Sequence, residues 1–75
     1  MNKATALTIA AMVVDGGASL GYWRGHGKSS GVQITACFVR DADYYGPKIE
    51  AAFNRAGVSD ARYQRNGGFA IVWYR

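Results

Sequence analysis

The segment from Ala10 to Tyr22 most constrains what this chain can fold into, because an apolar helix ends within it and a strand follows at once. Apolar residues recur at helical spacing over Asn2–Val14. Asp15-Gly16-Gly17 then predicts the helix end, since glycine adopts the positive φ that commonly terminates a helix. Ser19–Gly25 is predicted to be a strand, so a carboxylate is expected where a helix end meets a sheet edge.

Two hairpins account for the predicted strands. A polar loop at 26–31 joins the first strand to a return strand at Val32–Val39, in which apolar and mostly polar residues alternate. Asn66-Gly67-Gly68 lies between strand-like runs at Ala61–Arg65 and Phe69–Tyr74. An Asn-Gly pair in that position is a strong hairpin signal, so the chain is predicted to contain four strands.

A second helix is predicted over Asp41–Ala56, where apolar residues form a stripe at helical spacing. Asp43 or Asp41 is expected to cap its beginning, and Pro47 is expected in its first turn, where proline is tolerated. The resulting order is α-β-β-α-β-β. It predicts a single α+β domain over residues 1–75, with a four-stranded antiparallel sheet and both helices on one face.

The small size of the chain indicates that its core alone is marginal. It has 75 residues, of which 49% are hydrophobic and 19% are charged, a composition typical of globular proteins. A domain of this length buries only about 60% of its unfolded surface. The single cysteine, Cys37, excludes an internal disulfide, and the one histidine gives no Cys/His spacing for structural zinc. An oligomer interface is therefore the expected additional source of stability.

The first predicted helix is apolar nearly all round, so two of its sides should be buried. One side can cover the sheet, and the other requires a second subunit. The homodimer interface is expected at Ala6, Ala10, Ala11 and Val14, because small side chains let a second helix approach closely. Alternatively, alanine is present only because it is a good helix former.

A sheet that carries both helices on one face leaves its other face open. Glutamine, threonine and arginine at alternating strand positions suit base edges and phosphates in a DNA groove. The net charge of +4, with a pI of about 9.6, is compatible with such an anionic partner. The expected DNA-binding residues are Gln33, Thr35, Cys37, Arg62 and Gln64, with Arg24 and Arg65 near this face or at its rim. Alternatively, this is a solvated sheet face, although Trp23 and Trp73 would be unusual in water.

The N-terminal segment allows two interpretations. A cytoplasmic protein is the primary expectation. Met1-Asn2-Lys3, followed by an apolar run to Val14, also resembles a short secretory signal. That run is too short to span a bilayer, so no membrane partner is expected.

Four stretches of the chain carry a family resemblance through their order and spacing. They are Val14-Asp15-Gly16-Gly17-Ala18-Ser19-Leu20-Gly21 and residues 31–38, 49–57 and 62–68. These stretches resemble, in turn, the acidic end of the signature helix, the second strand, the second helix and the third strand with its turn in one half of a LAGLIDADG homing endonuclease. The similarity covers most of the chain and includes the order α-β-β-α-β-β.

The resemblance implies a homodimer that binds double-stranded DNA, with the sheets in the major groove and Mg²⁺ between the subunits. Asp15 would be the metal ligand and a catalytic residue, and Arg40 would lie close to the scissile phosphates. Lys28, in the hairpin tip, would follow the DNA backbone. In the alignment that best keeps the spacing, Gly17 stands where the family has its metal-binding acid. In the alternative alignment, Asp15 is the ligand and Ala10 is the small contact residue.

A second function class stays open alongside DNA binding, and endonuclease activity itself is left undecided by the sequence. A small protein-binding module, such as a phage-type inhibitor, would use the same open sheet face and its aromatic side chains. Salt dependence separates the two classes. Binding to DNA weakens steeply as salt rises, because phosphate contacts release counterions.

Overall fold

The computed structural model describes residues 1–25, 29–36 and 38–75. The helices are α1 (Lys3–Val14) and α2 (Val39–Arg55), and the strands are β1 (Ser19–Arg24), β2 (Ser30–Thr35), β3 (Arg62–Asn66) and β4 (Phe69–Tyr74). The order α-β-β-α-β-β and the α+β architecture confirm the predicted fold class. β2 ends at Thr35, before its predicted end at Val39. Neither described helix is long and apolar enough to cross a membrane.

The strands form one antiparallel four-stranded sheet in the order β1-β2-β4-β3. The register places Tyr22 opposite Val32, Val32 opposite Val72, and Val72 opposite Tyr63. The central pair, β2 and β4, comes from segments that are distant in the sequence, and it joins the two hairpins into one sheet. β1 and β3 are therefore the edge strands.

The core lies between the two helices and one face of the sheet. Phe53 and Ile49 of α2 share a single buried cluster with Val32, Ile34 and Val72 of the central strands. The Phe53 ring also meets the Tyr74 ring edge-on, with centroids 5.6 Å apart. Because both helices contribute to this one cluster, they cover the same face and leave the opposite face of the sheet uncovered.

α1 directs its small side chains into this core. Ala6 and Ala10 are fully buried and Val14 is 4% exposed, all within the single chain. The homodimer prediction is therefore wrong for these three residues, because a side chain buried inside its own chain cannot contact a second copy. The short side chains instead let α1 lie close to its own sheet and to α2. Ala11 is the one member of the predicted set that is exposed.

The beginning of α2 differs from the prediction. The helix starts two residues before Asp41, and its N-cap is Phe38, whose side chain makes no capping hydrogen bond. Asp41 lies in the first turn, whereas Asp43 lies further along and bonds to β3. Pro47 lies in the interior of the helix. The predicted aspartate cap and the predicted place of Pro47 in the first turn are therefore wrong.

α1 ends at Asp15 and the two glycines, as predicted. Asp15 is the C-cap in the left-handed conformation, with φ 46°, and its backbone N–H donates to Ala11 O at 2.9 Å. Gly16 follows with φ 82°. Gly17 serves a different purpose, because a Cβ there would overlap the Tyr45 hydroxyl oxygen and lie 2.8 Å from Tyr45 Cζ. A larger residue at position 17 would therefore require the Tyr45 side chain to shift.

Candidate nucleic-acid interface

The face of the sheet opposite the helices carries two rows of side chains that cross all four strands. Side chains alternate between the faces of a strand, so the register assigns each row. The first row is Trp23, Gly31, Trp73 and Arg62, and the second is Gly21, Gln33, Ile71 and Gln64, with Thr35 next to Gln33 on β2. We call these residues the open face. Of the predicted DNA-binding residues, Gln33, Thr35, Arg62 and Gln64 lie on it.

The first row is built around a glycine that admits an indole ring. A Cβ at Gly31 would lie 2.8 Å from Trp73 Cε3 and 2.7 Å from Ile71 Cγ2, so the Trp73 ring leans over the β2 backbone. Ile71 is only 3% exposed although it belongs to the open face. Trp23, by contrast, is 47% exposed. The open face therefore has a fixed indole at Trp73 and a second, more accessible one at Trp23.

Polar side chains in the second row are ordered by hydrogen bonds. Trp23 Nε1 donates to Gln33 Oε1 at 2.5 Å, and Gln33 Nε2 donates to Thr35 Oγ1 at 3.0 Å. These bonds orient the Gln33 amide along the strand. Gln64, on the edge strand β3, is exposed. The row thus presents amide and hydroxyl groups, which both donate and accept hydrogen bonds. Base edges in a DNA groove carry both donors and acceptors, so such groups can bond to them.

The charges of the chain are segregated between the strands and the rest of the fold. None of the four strands contains an aspartate or a glutamate, while three of their residues are arginines. The acidic residues are Asp15, Asp41, Asp43, Glu50 and Asp60, which lie in α2, at the end of α1 or in the turn before β3. A polyanion that approaches the open face therefore meets no carboxylate on any strand.

Arg62 is the arginine that belongs to the open face. Its Nη1 donates to Ala61 O at 2.8 Å and to Ser59 O at 3.3 Å. Both bonds use the same nitrogen, and a guanidinium has further N–H groups to offer. The two carbonyls therefore fix the position of the charge without neutralising it.

Arg24 and Arg65 do not lie on the open face. Arg65 is paired across the sheet with Ala70, a core residue. Arg24 is paired with Ser30, which in turn is paired with the core residue Tyr74. Arg65 instead forms a salt bridge, Nη1 to Asp43 Oδ2 at 2.6 Å, that links β3 to α2. The expectation that these two arginines lie near the open face or at its rim is not supported, because the alternation of strand side chains directs them to the helix side.

Asp43 and Tyr63 form the rest of this link between β3 and α2. The Tyr63 hydroxyl donates to Asp43 Oδ1, and the Tyr63 backbone N–H donates to Glu50 Oε2 at 2.6 Å. Burial, together with the hydrogen bond to the Asp43 carboxylate, raises the pKa of Tyr63 to about 12. The Tyr63 hydrogen bond, followed by the Arg65 guanidinium, lowers the pKa of Asp43. These groups hold the edge strand to the helix and are structural.

The predicted catalytic pair does not form a recognisable centre within one chain. Asp15 is exposed at the end of α1, and the Arg40 guanidinium lies over the Phe38 ring, 5.1 Å from its centroid. Among the described residues, no group of three or more His, Cys, Asp or Glu side chains is placed to hold a metal ion. Position 17, where the resemblance expects an acid, is closed by Tyr45. Lys28 and Cys37, two predicted DNA-binding residues, lie outside the described residues.

Several features of the open face were missed in the sequence although a signal for them existed. The alternation within Phe69–Tyr74 directs Ile71 and Trp73 away from the core, and the sequence shows this pattern directly. The role of Gly31 had no local signal, because it depends on the pairing of β2 with β4.

A comparison with protein-family models finds none that matches the chain, and no curated protein matches it.

Proposed function

We propose that this chain binds double-stranded DNA through the open face. The observation that carries the proposal is the charge of the open face, where the strands place Arg62 and no carboxylate. Phosphate contacts supply most of the affinity of DNA-binding proteins, and a single carboxylate on the contact surface would oppose them. Arg62 supplies the fixed positive charge on this face.

The spacing of the polar side chains supports a duplex as the ligand. Residues on one face of a strand, such as Gln33 and Thr35, are about 6.7 Å apart along the strand. Successive base pairs are about 3.4 Å apart, so neighbouring side chains on one strand match every second base pair. Glutamine can bond to adenine through two atoms, and threonine can bond to several base edges. Phosphate contacts by Arg62 would hold this register.

We further propose that the protein acts as a homodimer, through the outer face of α1. Met12 is 78% exposed, and Thr8 and Ala11 are exposed beside it on the same side of the helix. This face replaces the one predicted from Ala6 and Ala10, which lie in the core. A large apolar side chain in water favours burial against a second surface.

The proposal does not include a step through a metal ion. A single exposed carboxylate, Asp15, does not by itself fit the magnesium centre that the resemblance implies, and a second one at position 17 would require Tyr45 to shift. The catalytic roles of Asp15 and Arg40, and the Mg²⁺ itself, stay predictions. Asp15→Asn tests them, because it is expected to abolish any Mg²⁺-dependent nicking of duplex DNA and to leave binding unchanged.

The binding experiment is a fluorescence-anisotropy titration of a labelled random-sequence duplex at several salt concentrations. The wild-type affinity should fall steeply between about 50 and 200 mM salt. Arg62→Ala should weaken binding by about tenfold, or about 1.4 kcal/mol, and lower the salt slope by about one. Arg55→Ala is the matched control, because Arg55 is an exposed arginine in the last turn of α2, away from the open face.

Two results would contradict the proposal. One is that the protein does not bind the duplex even at low salt. The other is an equal loss of affinity in Arg62→Ala and Arg55→Ala, which would mean that net charge alone, and not the open face, attracts DNA.

The exposure of Trp23 supports a second candidate, binding to another protein. An indole that is 47% exposed, on the same face of the sheet as the buried Ile71, is a typical centre of a protein interface. Such binding would depend little on salt, in contrast to DNA binding. A partner whose affinity is unchanged over the same salt range and is lost in Trp23→Ala would favour this candidate.

A further inference from the structure

A cleft of about 360 Å³ lies at one end of the sheet, where β4 ends and β3 begins. It is lined by Ser29, Asp60, Arg62, Trp73, Tyr74 and Arg75, and we call it the end cleft. Its volume falls in the range of small-molecule sites. Arg62 and Trp73 belong to both the end cleft and the open face, so a ligand in the cleft would be continuous with a ligand on that face.

One wall of the end cleft is an immobilised aromatic plane. The Trp73 ring packs over Gly31, whose missing Cβ leaves room for it, so its orientation is set before any ligand arrives. A planar ring that is already ordered costs little conformational entropy on binding. Aromatic side chains on sheet faces stack nucleobases, since every base offers a π-face. The wall therefore suits a flat aromatic ligand.

The polar groups of the end cleft carry two positive charges and one negative charge. Arg62 is held at its Nη1 by backbone carbonyls, and Asp60 Oδ2 accepts the Arg75 backbone N–H at 2.9 Å. That bond leaves Asp60 Oδ1 to accept from a ligand. Within the described residues neither guanidinium of the cleft is in a salt bridge. The cleft thus combines two cationic groups, a hydroxyl at Ser29 and one oriented carboxylate.

We propose that the end cleft binds one unpaired nucleotide of a DNA strand. The base stacks on Trp73, its phosphate contacts Arg62 and Arg75, and Asp60 accepts hydrogen bonds from an amino-bearing base edge. A nucleotide joins these three chemistries, a flat ring, an anion and a donor edge, in one ligand. The inference rests on the proposed function, because the adjoining duplex occupies the open face.

Three matched duplexes test the inference by fluorescence anisotropy. One is fully paired, one carries a single bulged guanine, and one carries an abasic residue at the bulge. The abasic duplex keeps the extra phosphate and the flexibility of the bulge but lacks the base. The guanine bulge should bind roughly 5- to 100-fold more tightly than the abasic bulge, which is the range for stacking of one base.

Two variants locate the effect in the end cleft. Trp73→Leu should remove the preference for guanine over the abasic residue. Because Trp73 also packs on Gly31, Asp60→Asn provides a second variant that avoids the core, and it should reduce the same preference several-fold. Arg55→Ala, on α2, should leave the ratio unchanged.

The outcomes separate the two proposals. Equal binding of the guanine and abasic bulges, while the paired duplex is bound, overturns the end cleft and leaves the proposed function standing. Binding of the guanine bulge without binding of the paired duplex overturns duplex binding on the open face, and with it the form of the inference in which the duplex adjoins the cleft. A preference for guanine that persists in both Trp73→Leu and Asp60→Asn also overturns the end cleft.

Discussion

The contact between Gly17 and Tyr45 gives the sharpest test of the structure. A Cβ at position 17 would overlap the Tyr45 hydroxyl oxygen, lie 2.8 Å from Tyr45 Cζ and lie 3.0 Å from Val14 O. Gly17 does not have a positive φ, so alanine there suffers no backbone strain. The substitution Gly17→Ala therefore isolates one steric contact between the end of α1 and α2.

The magnitude follows from two opposing effects. Extra volume in a packed site costs about 1–3 kcal/mol. Alanine also reduces the entropy of the unfolded chain, which stabilises by about 0.4–1 kcal/mol where the conformation allows it. Gly17→Ala should therefore lower the free energy of unfolding by about 1–2 kcal/mol. For a domain of this size, that corresponds to a decrease in Tm of roughly 5–15 °C.

The test is a double-mutant cycle, measured by urea unfolding and thermal melts. In the background Tyr45→Ala, which removes the obstructing ring, the cost of Gly17→Ala should fall sharply, since only the closer approach to Val14 O opposes the entropic gain. Gly68→Ala is the matched control, because a Cβ at Gly68 meets no atom within 4 Å. If Gly17→Ala is tolerated as well as Gly68→Ala in the wild-type background, the contact with Tyr45 does not constrain position 17 and the reasoning is refuted.

Three further perturbations test other parts of the molecule. The pKa of Tyr63 is raised to about 12. The stability that this shift contributes is therefore complete below the unfolded pKa of about 10 and is lost as pH rises through the folded pKa. Tyr63→Phe should make the loss of stability at alkaline pH shallower, measured by unfolding curves at several pH values, and an unchanged pH dependence would contradict the assignment. Phe53→Ala removes a fully buried ring and should cost about 3–5 kcal/mol, measured by urea unfolding; a cost below about 1 kcal/mol would mean that the ring is not in the core. Met12→Asp should convert the proposed dimer into a monomer, measured as a halved solution mass in analytical ultracentrifugation, while the circular dichroism spectrum stays unchanged. An unchanged solution mass would exclude the outer face of α1 as the interface.

The element order could be predicted from the sequence because its signals are local. Asp15-Gly16-Gly17 ends α1 through backbone conformation, and Gly67-Gly68, directly after Asn66, form the turn between β3 and β4. The position of β4 between β2 and β3 had no such signal. It depends on a pairing between distant segments, which alternation alone does not specify.

The buried side of α1 could not be predicted, because the helix is apolar around most of its circumference. Periodicity selects a buried face only when another face is polar. Ala6 and Ala10 therefore suggested a helix-to-helix contact, whereas they serve the approach of α1 to its own sheet and to α2. Arg65 was predicted at the rim although its neighbour Gln64 was placed on the open face. Adjacent strand residues point to opposite faces, so the position of Gln64 on the open face already implies that Arg65 points to the helix side.

The binding and cleavage parts of the predicted function depend on different residues of this fold. Binding depends on the open face, where amide groups, an indole pair and Arg62 lie on strands that lack carboxylates. Cleavage would depend on acids at the end of α1, where the Tyr45 side chain occupies the space that a side chain at position 17 would need. Because the two regions lie at different places in the sheet and helix layers, a change in one need not alter the other. Gly17→Asp should therefore destabilise the chain without creating nicking activity, whereas Gly17→Asp with Tyr45→Ala is the variant in which a metal-dependent activity could emerge.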